Sequence, residues 1–219
     1  MPKRDNGETF PKKGSGYFDL NLNSDSQMWE LSEIFYIKDL VQRKLYLDGM
    51  ICQESVIDVI HHILQYNRED IDLPIEQRKP IILYLTTSGG SVDVGFRLID
   101  TILSSKTPVH IVNNGYWYSM GILIGIAGDK RYATKNARFL IHDGFNMAVD
   151  SSSKVKDQID FQKRFDERMK QYVIERTKIS EEEYEKNLRV EWYMFADEAK
   201  EKGVVDYIIG EDCDIDEIV

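Results

Sequence analysis

Short apolar runs alternate with longer amphipathic stretches through the middle of the chain, and this alternation constrains the fold more than any other feature. Residues 81–85 and 109–112 have the length and composition of buried strands, whereas residues 91–105 carry apolar side chains at helical spacing. Alternating strands and helices are typical of a largely parallel sheet covered by helices. The sequence therefore predicts an α/β fold built from βαβ units.

Polar or small residues of chemical interest follow three of the predicted strands. Gly89-Gly90 follows the strand at 81–85, Ser119 opens the helix that comes after the strand at 109–113, and His142 follows a strand at 137–141. In parallel sheets the functional groups collect where strands end and helices begin. We therefore expect these three segments to lie near one another.

Ser119 is the candidate nucleophile, although a serine at this position is also a common helix N-cap. A serine at a sharp strand-to-helix turn presents its hydroxyl outward beside the free N–H groups of the helix. His142 can act as a base because an imidazole titrates near neutral pH. The N–H groups of Gly90 and Met120 can form an oxyanion hole. Spacing alone leaves acyl transfer and a structural role both open.

Composition excludes several classes of function. The net charge of −10 argues against general nucleic-acid binding. The four histidines lack metal-ligand spacing, and Cys52 and Cys213 are far apart, so we expect no metal, no cofactor and no disulfide. No apolar run is long enough to span a bilayer, and residues 1–16 lack the apolar core of a signal peptide. We expect a cytoplasmic protein that does not bind membranes.

The two ends of the chain differ in composition from its middle. Residues 1–28 are rich in Gly, Pro, Lys, Asn and Ser and predict a flexible arm, residues 29–210 predict one domain, and residues 211–219 predict a solvated acidic tail. Residues 150–178 are highly charged and helical, with a narrow apolar stripe formed by Phe161, Phe165, Met169 and Tyr172. Such a stripe favours an element that packs on a partner subunit.

Four blocks of the sequence carry a resemblance to a known family. They read T-T-S-G-G-S-V at 86–92, G-Y-W-Y-S-M-G at 115–121, L-I-H-D-G at 140–144 and Y-M-F-A-D-E-A-K-E-K-G-V-V-D at 193–206. In order and spacing the blocks resemble those of ClpP, the proteolytic subunit of the Clp protease, over roughly residues 35–210. The resemblance implies a ClpP/crotonase-type superhelix of βαβ units, with residues 145–178 as a projecting handle helix.

The same resemblance implies a function. It makes the chain a serine endopeptidase subunit of a self-compartmentalising, ATPase-dependent protease that cleaves unfolded polypeptides to short peptides. Ser119 would be the nucleophile, His142 the base, and the N–H groups of Gly90 and Met120 the oxyanion hole. The family further implies homo- or hetero-heptameric rings stacked in pairs, and a Clp-type ATPase unfoldase as partner.

The chain departs from the family at positions that matter for the site. The aspartate of the family's triad falls on Asn187, and the alanine before the nucleophile is Tyr118. Trp117 and Tyr118 place two bulky rings next to Ser119 in sequence, so we expect an altered pocket or altered access. Asparagine can accept a hydrogen bond from an imidazole N–H, but it supplies no negative charge for the imidazolium.

Three alternatives follow for the third position of the triad. Asn187 serves weakly, or a nearby carboxylate (Asp143, Glu185 or Glu191) takes its place, or the subunit is slow or silent alone and works with a better-equipped paralogue. We expect low intrinsic activity, or activity that depends on assembly. Two further readings are a non-catalytic ring component and a crotonase-like enzyme acting on acyl thioesters, a class that uses carboxylates and needs no serine.

The resemblance predicts that Asn187→Asp raises turnover of a small peptide ester or amide. In serine proteases the reverse change lowers turnover by about 10⁴-fold, because an asparagine at this position favours the wrong tautomer of the imidazole. Steady-state kinetics of the two proteins measure the effect. Turnover that stays flat or falls would mean that another group occupies the third position.

Overall fold

The computed structural model describes residues 31–144 and 151–218. The chain divides into two units, residues 1–44 and residues 45–219. The first unit contains a helix, α1 (Leu31–Val41). The mixed apolar pattern of this stretch does not predict a particular secondary structure. The arm predicted for residues 1–28 lies outside the described residues. The second unit contains the three segments that carry the candidate site.

The larger sheet of the second unit has five strands in the order β1-β2-β3-β5-β8. The pairs β2–β3, β3–β5 and β5–β8 are parallel. Their bounds are β1 (Lys44–Asp48), β2 (Ile81–Thr86), β3 (Val109–Asn113), β5 (Lys130–Thr134) and β8 (Tyr207–Ile209). The predicted α/β fold with a mainly parallel sheet is confirmed, because the apolar runs at 81–85 and 109–112 are buried inner strands of this sheet.

A second, smaller sheet holds the segments on either side of the candidate nucleophile and base. Its strands are β4 (Tyr116–Tyr118), β6 (Arg138–Ile141) and β7 (Trp192–Phe195), in the order β4-β6-β7. The pair β4–β6 is parallel and the pair β6–β7 is antiparallel. The sequence predicted β6 but neither β4 nor β7, because strands of three and four residues are too short to show a period.

Six helices connect and cover the strands of the second unit within its described residues. They are α2 (Gln53–Glu69), α3 (Val92–Ser104), α4 (Met120–Gly125), α5 (Ser152–Arg176), α6 (Glu181–Asn187) and α7 (Ala196–Glu201). Ser91 and Ser180 cap α3 and α6 through their hydroxyls, as their positions before apolar or acidic helical stretches predict. Among the described residues no helix has the length and apolarity needed to cross a membrane.

Trp117 belongs to the core of the protein. Its side chain is fully buried, its Nε1–H donates to Leu85 O at 2.9 Å, and its ring packs edge-on against Phe139. Successive side chains of a strand point to opposite faces, so Trp117 points away from the face that carries Tyr116 and Tyr118. The expectation that both rings crowd the serine is therefore wrong for Trp117.

Helix α5 is attached to the rest of the unit by its C-terminal end. Val173 is the one buried side chain among the described residues of α5. Arg176 donates from its guanidinium to the carbonyl groups of residues 126, 127 and 128, and Tyr172 Oη donates to Leu123 O at 3.1 Å. Residues 145–150 of the predicted handle lie outside the described residues.

The acidic C-terminal segment packs against the larger sheet. Its carboxylates are exposed, but Ile218 is buried together with Ile82, Val112 and Tyr132. The prediction of a solvated tail is therefore wrong at Ile218, because this apolar side chain is buried against one face of the larger sheet. A 3₁₀ turn at Ile215–Glu217 brings the chain back onto that face.

Gly125→Ala tests how tightly the Trp117 core is packed. A Cβ at Gly125 would lie 2.3 Å from the rigid indole ring, so we expect a loss of about 1–3 kcal/mol in unfolding free energy. Urea unfolding followed by tryptophan fluorescence measures it. The matched control is Gly95→Ala, where the new methyl meets the Met120 side chain, which can move aside. Equal losses in the two variants would contradict this account of the core.

Candidate active site

Ser119 occupies a strained turn between β4 and α4. Its φ of 54° and ψ of −122° lie in a region that residues other than glycine seldom adopt. Ser119 N donates to Leu140 O at 2.9 Å, and Ile122 N donates to Ser119 O at 3.0 Å, so the backbone is held from both sides. The hydroxyl does not cap α4 although Ser119 stands at its N-cap position. A strand, a strained serine and a helix in this order form the turn that presents nucleophilic serines.

Gly89 and Gly90 bring a loop against this turn. Gly89 has a φ of +96°, and a Cβ on it would lie 2.8 Å from the Ser119 Cβ. Gly90 has a φ of +147°, and a Cβ there would lie 2.4 Å from Ile51 O. Only glycine combines these dihedral angles with such close approach. The Gly-Gly pair is therefore required for the loop to reach Ser119.

The N–H groups predicted to form an oxyanion hole have no hydrogen-bond partner among the described residues. Among the hydrogen bonds between described residues, none is donated by Gly90 N or by Met120 N. Met120 is the first residue of α4, where an N–H has no partner inside the helix. Both groups can therefore donate to an oxygen of a bound molecule.

Ser119, Met120 and His142 line one cavity with a volume of about 250 Å³. Most of its wall is apolar and comes from α4, α5 and the end of α6, with Leu123, Met169 and Leu188 among the contributing side chains. Two of the predicted site residues, Gly90 and Asn187, are not among those that line this cavity.

His142 directly follows β6, and its ring is 28% exposed. Its Nδ1 lies 3.1 Å from Glu191 Oε1. Within the described part of the chain, no hydrogen bond joins the Ser119 hydroxyl to the imidazole. The candidate base and nucleophile therefore share a cavity but are not hydrogen-bonded to each other in the described structure.

Asn187 is the last residue of α6, and its amide is used inside that helix. Asn187 Nδ2 donates to Glu183 O at 2.8 Å. Of the carboxylates weighed for the same role, Glu185 is held by Lys170 Nζ at 3.0 Å, and Asp143 lines the cavity. Of the three carboxylates and Asn187, Glu191 is the residue that is hydrogen-bonded to His142 in the described structure.

Lys170 joins the two helices that form one wall of the cavity. Its Nζ lies 2.9 Å from Glu167 on α5, and 2.8 Å and 3.0 Å from Glu181 and Glu185 on α6. Hydrogen bonds to Glu181 and then to the other two carboxylates raise the pKa of Lys170. Beside this group Tyr184 is buried in the cavity wall, and its burial raises the pKa of its phenol. The wall is therefore fixed by one charged cluster and one buried ring.

Together these features define an α/β protein whose candidate site holds the groups that acyl transfer requires: a serine, an imidazole and unpaired backbone N–H donors. In the portions of the chain that the structure describes, no three His, Cys, Asp or Glu residues are placed to hold a metal ion.

Comparison with known proteins places the chain in a family. The family model of the Clp protease matches residues 32–212. The ATP-dependent Clp protease proteolytic subunit 2 of Treponema pallidum (strain Nichols) is 23% identical over 184 residues, which cover 83% of this chain and 89% of that protein. The chain belongs to the Clp protease family, and its α/β architecture is consistent with the ClpP fold.

Lys170→Met tests whether this cluster fixes the cavity wall. Without the ammonium group three carboxylates face one another, so we expect faster amide hydrogen exchange in α6 and little change in α3. Hydrogen exchange read by mass spectrometry measures it. Lys163→Met is the control, because it removes an exposed lysine of α5 that pairs with Asp160 on the same helix. Unchanged protection of α6 in Lys170→Met would show that apolar packing alone holds the wall.

Proposed function

We propose that this chain is a serine endopeptidase subunit of an ATPase-dependent Clp-type protease that cleaves unfolded polypeptides to short peptides. The observation that carries the proposal is the strained turn at Ser119, whose hydroxyl is free of a capping role and lines one cavity with His142. Membership of the Clp protease family supports the same activity.

In the proposed reaction His142 takes the proton from Ser119 Oγ as that oxygen attacks the peptide carbonyl carbon. The N–H groups of Gly90 and Met120 donate to the oxyanion that forms. His142 then passes its proton to the leaving amine, and a water molecule hydrolyses the acyl-enzyme by the same steps. Because neither N–H group donates to another residue in the described parts of the chain, binding the oxyanion breaks no hydrogen bond seen there.

The cavity wall suggests what the site accepts. Leu123, Met169 and Leu188 provide an apolar surface next to Ser119. A chain segment with an apolar side chain would bury that side chain there, which gains free energy in proportion to the apolar area covered. Most large apolar side chains are buried in folded proteins and become accessible on unfolding, which agrees with the proposed substrate class.

One observation favours low intrinsic activity. Proton transfer requires the hydroxyl and the imidazole to be within hydrogen-bond reach, and in the described residues no hydrogen bond joins Ser119 to His142. We therefore propose that substrate or assembly must bring the two groups together. The second candidate function, a ring subunit that is silent alone and works beside an active paralogue, rests on the same observation.

Helix α5 supports a proposed assembly. Ile159 and Phe161 are about half exposed, and the Phe161 ring stacks on that of Phe165, which itself packs edge-on against Phe96 of α3 in the same chain. An exposed apolar stripe of this kind is suited to packing on another subunit. We propose homo- or hetero-heptameric rings stacked in pairs through this helix, a Clp-type ATPase unfoldase as partner, and a cytoplasmic location. The relative from Treponema pallidum is an ATP-dependent Clp protease proteolytic subunit by name, which agrees with such a partner.

A fluorophosphonate probe tests the proposed nucleophile. We expect the probe to attach to Ser119, because a hydroxyl beside a base and an oxyanion hole attacks phosphorus as it attacks a carbonyl carbon. Mass spectrometry of the labelled protein locates the adduct. Ser119→Ala should abolish labelling, whereas the control Ser91→Ala, at the cap of α3, should label as the unmodified chain does.

The same experiment separates the other readings. A chain that is never labelled, alone or with an ATPase partner, would contradict serine chemistry and favour an acyl-thioester enzyme or a binding component. Labelling of Ser119 without peptide turnover would favour the silent ring subunit.

A further inference from the structure

We infer that Glu191, held in place by Tyr193, is the carboxylate that positions His142 for proton transfer, in the role for which this chain lacks an aspartate at residue 187. The inference rests on the proposed function, because it concerns the base of the same site. It makes Glu191 and Tyr193 positioning residues that act on the reaction through His142.

The first support is the register of the small sheet. Ile141 and Trp192 are the last paired residues of the antiparallel ladder between β6 and β7. The next positions along the two chains are His142 and Glu191, which therefore stand opposite each other. Side chains of opposite residues in an antiparallel pair lie on the same face and in contact. The backbone thus brings Glu191 Oε1 to 3.1 Å from His142 Nδ1.

The second support is that both oxygens of the Glu191 carboxylate are engaged. Oε1 faces the imidazole, and Oε2 accepts from the hydroxyl of Tyr193 at 3.3 Å. Tyr193 lies two residues along β7 and so shares a face of the strand with Glu191. A carboxylate held at both oxygens has little freedom to turn away from the imidazole. This matters because Glu191 is 57% exposed and water would otherwise compete for it.

The third support connects this arrangement to the nucleophile. The ring of Tyr193 packs edge-on against that of Tyr118, with centroids 6.0 Å apart. Tyr118 is the residue directly before Ser119. The contacts therefore run from Tyr118 through Tyr193 and Glu191 to His142, and they join the strand of the nucleophile to the base.

These contacts give one physical reason for two departures from the ClpP pattern. The chain has Tyr118 where the family has alanine, and an alanine would leave the Tyr193 ring without this neighbour. It has Asn187 where the family has aspartate, and the Asn187 amide donates within α6 instead. The carboxylate that residue 187 lacks is thus present at Glu191, on the segment before β7.

The chemical consequence follows from the two ring nitrogens of histidine. A carboxylate that accepts from Nδ1–H leaves Nε2 without a proton, and Nε2 is then the atom that takes the proton of Ser119. The same negative charge stabilises the imidazolium that results. Asparagine at 187 supplies no charge, so it cannot replace this second effect.

The test compares variants of the full chain in turnover of a peptide ester and in the rate of labelling by a fluorophosphonate. Glu191→Gln keeps the shape and the acceptor oxygen but removes the charge. We expect kcat and the labelling rate to fall by about tenfold or more with KM changed by less than about twofold, since substrate contacts are untouched. Glu191→Asp should recover part of the loss, and Tyr193→Phe should lower both rates by a few-fold.

Two further variants complete the comparison. The resemblance alone predicts faster turnover in Asn187→Asp, whereas this inference predicts both rates within about twofold of the unmodified chain, because the imidazole already has a carboxylate. Glu182→Gln is the matched control, since it makes the same change at an exposed position of α6. It should leave both rates unchanged.

The outcomes separate this inference from the proposed function. A Glu191→Gln protein labelled at the unmodified rate overturns the inference and leaves serine catalysis intact. Faster turnover in Asn187→Asp assigns the third position to residue 187 and also overturns it. An unmodified chain that is never labelled at Ser119 overturns both. If Glu191→Gln lowers the melting temperature, Tyr193→Phe decides, and an unchanged rate in that variant overturns the inference.

Discussion

The backbone strain at Ser119 depends on hydrogen bonds from both sheets, and much of the candidate site depends on that strain. Tyr118 N donates to Thr87 O at 3.0 Å, which attaches β4 to the residue after β2 in the larger sheet. One residue later Ser119 N donates to Leu140 O in the smaller sheet. The chain must change partners between two consecutive residues, and a positive φ permits this. A strained dihedral angle costs of order 1–3 kcal/mol and persists only where surrounding contacts impose it.

The same junction explains why the residues around Ser119 are so restricted in size. The buried Trp117 ring packs against Gly125, and Gly89 packs against the turn at Ser119. Large and small residues alternate across this contact so that a short strand, a turn and a helix can stack closely. The Ser119 side chain does not cap α4, and the residue lines the cavity beside this contact. Packing and chemistry are therefore decided by the same few residues.

Much of the fold could be predicted because apolar runs and helical spacing are local signals. Residues that are adjacent in sequence predict the strands at 81–85 and 109–112 and the start of a helix after Ser119. The strands β4 and β7 could not be predicted from the sequence. They have three and four residues, which is too few to show the alternation of apolar and polar side chains typical of a strand. Without β7 there is no register, so the sequence could name Glu191 only as one of three carboxylates. The resemblance pointed to Asn187 by alignment, which carries no information about where an amide hydrogen bond goes.

With Glu191 as the partner of His142, the contacts that fix the orientation of the imidazole differ from those of a partner on α6. A carboxylate on α6 would depend on the charged cluster at Lys170, whereas Glu191 depends on the β6–β7 register and on the contact between Tyr193 and Tyr118. The register is rigid, because a shift by one residue would turn the buried Phe139 and Met194 toward solvent. The exposed end of the ladder is less constrained, since His142 and Glu191 lie beyond its last pair. A contact that orders this end would fix the position of the imidazole, and under the proposed function this would give assembly or substrate a physical means of raising the low basal activity proposed above.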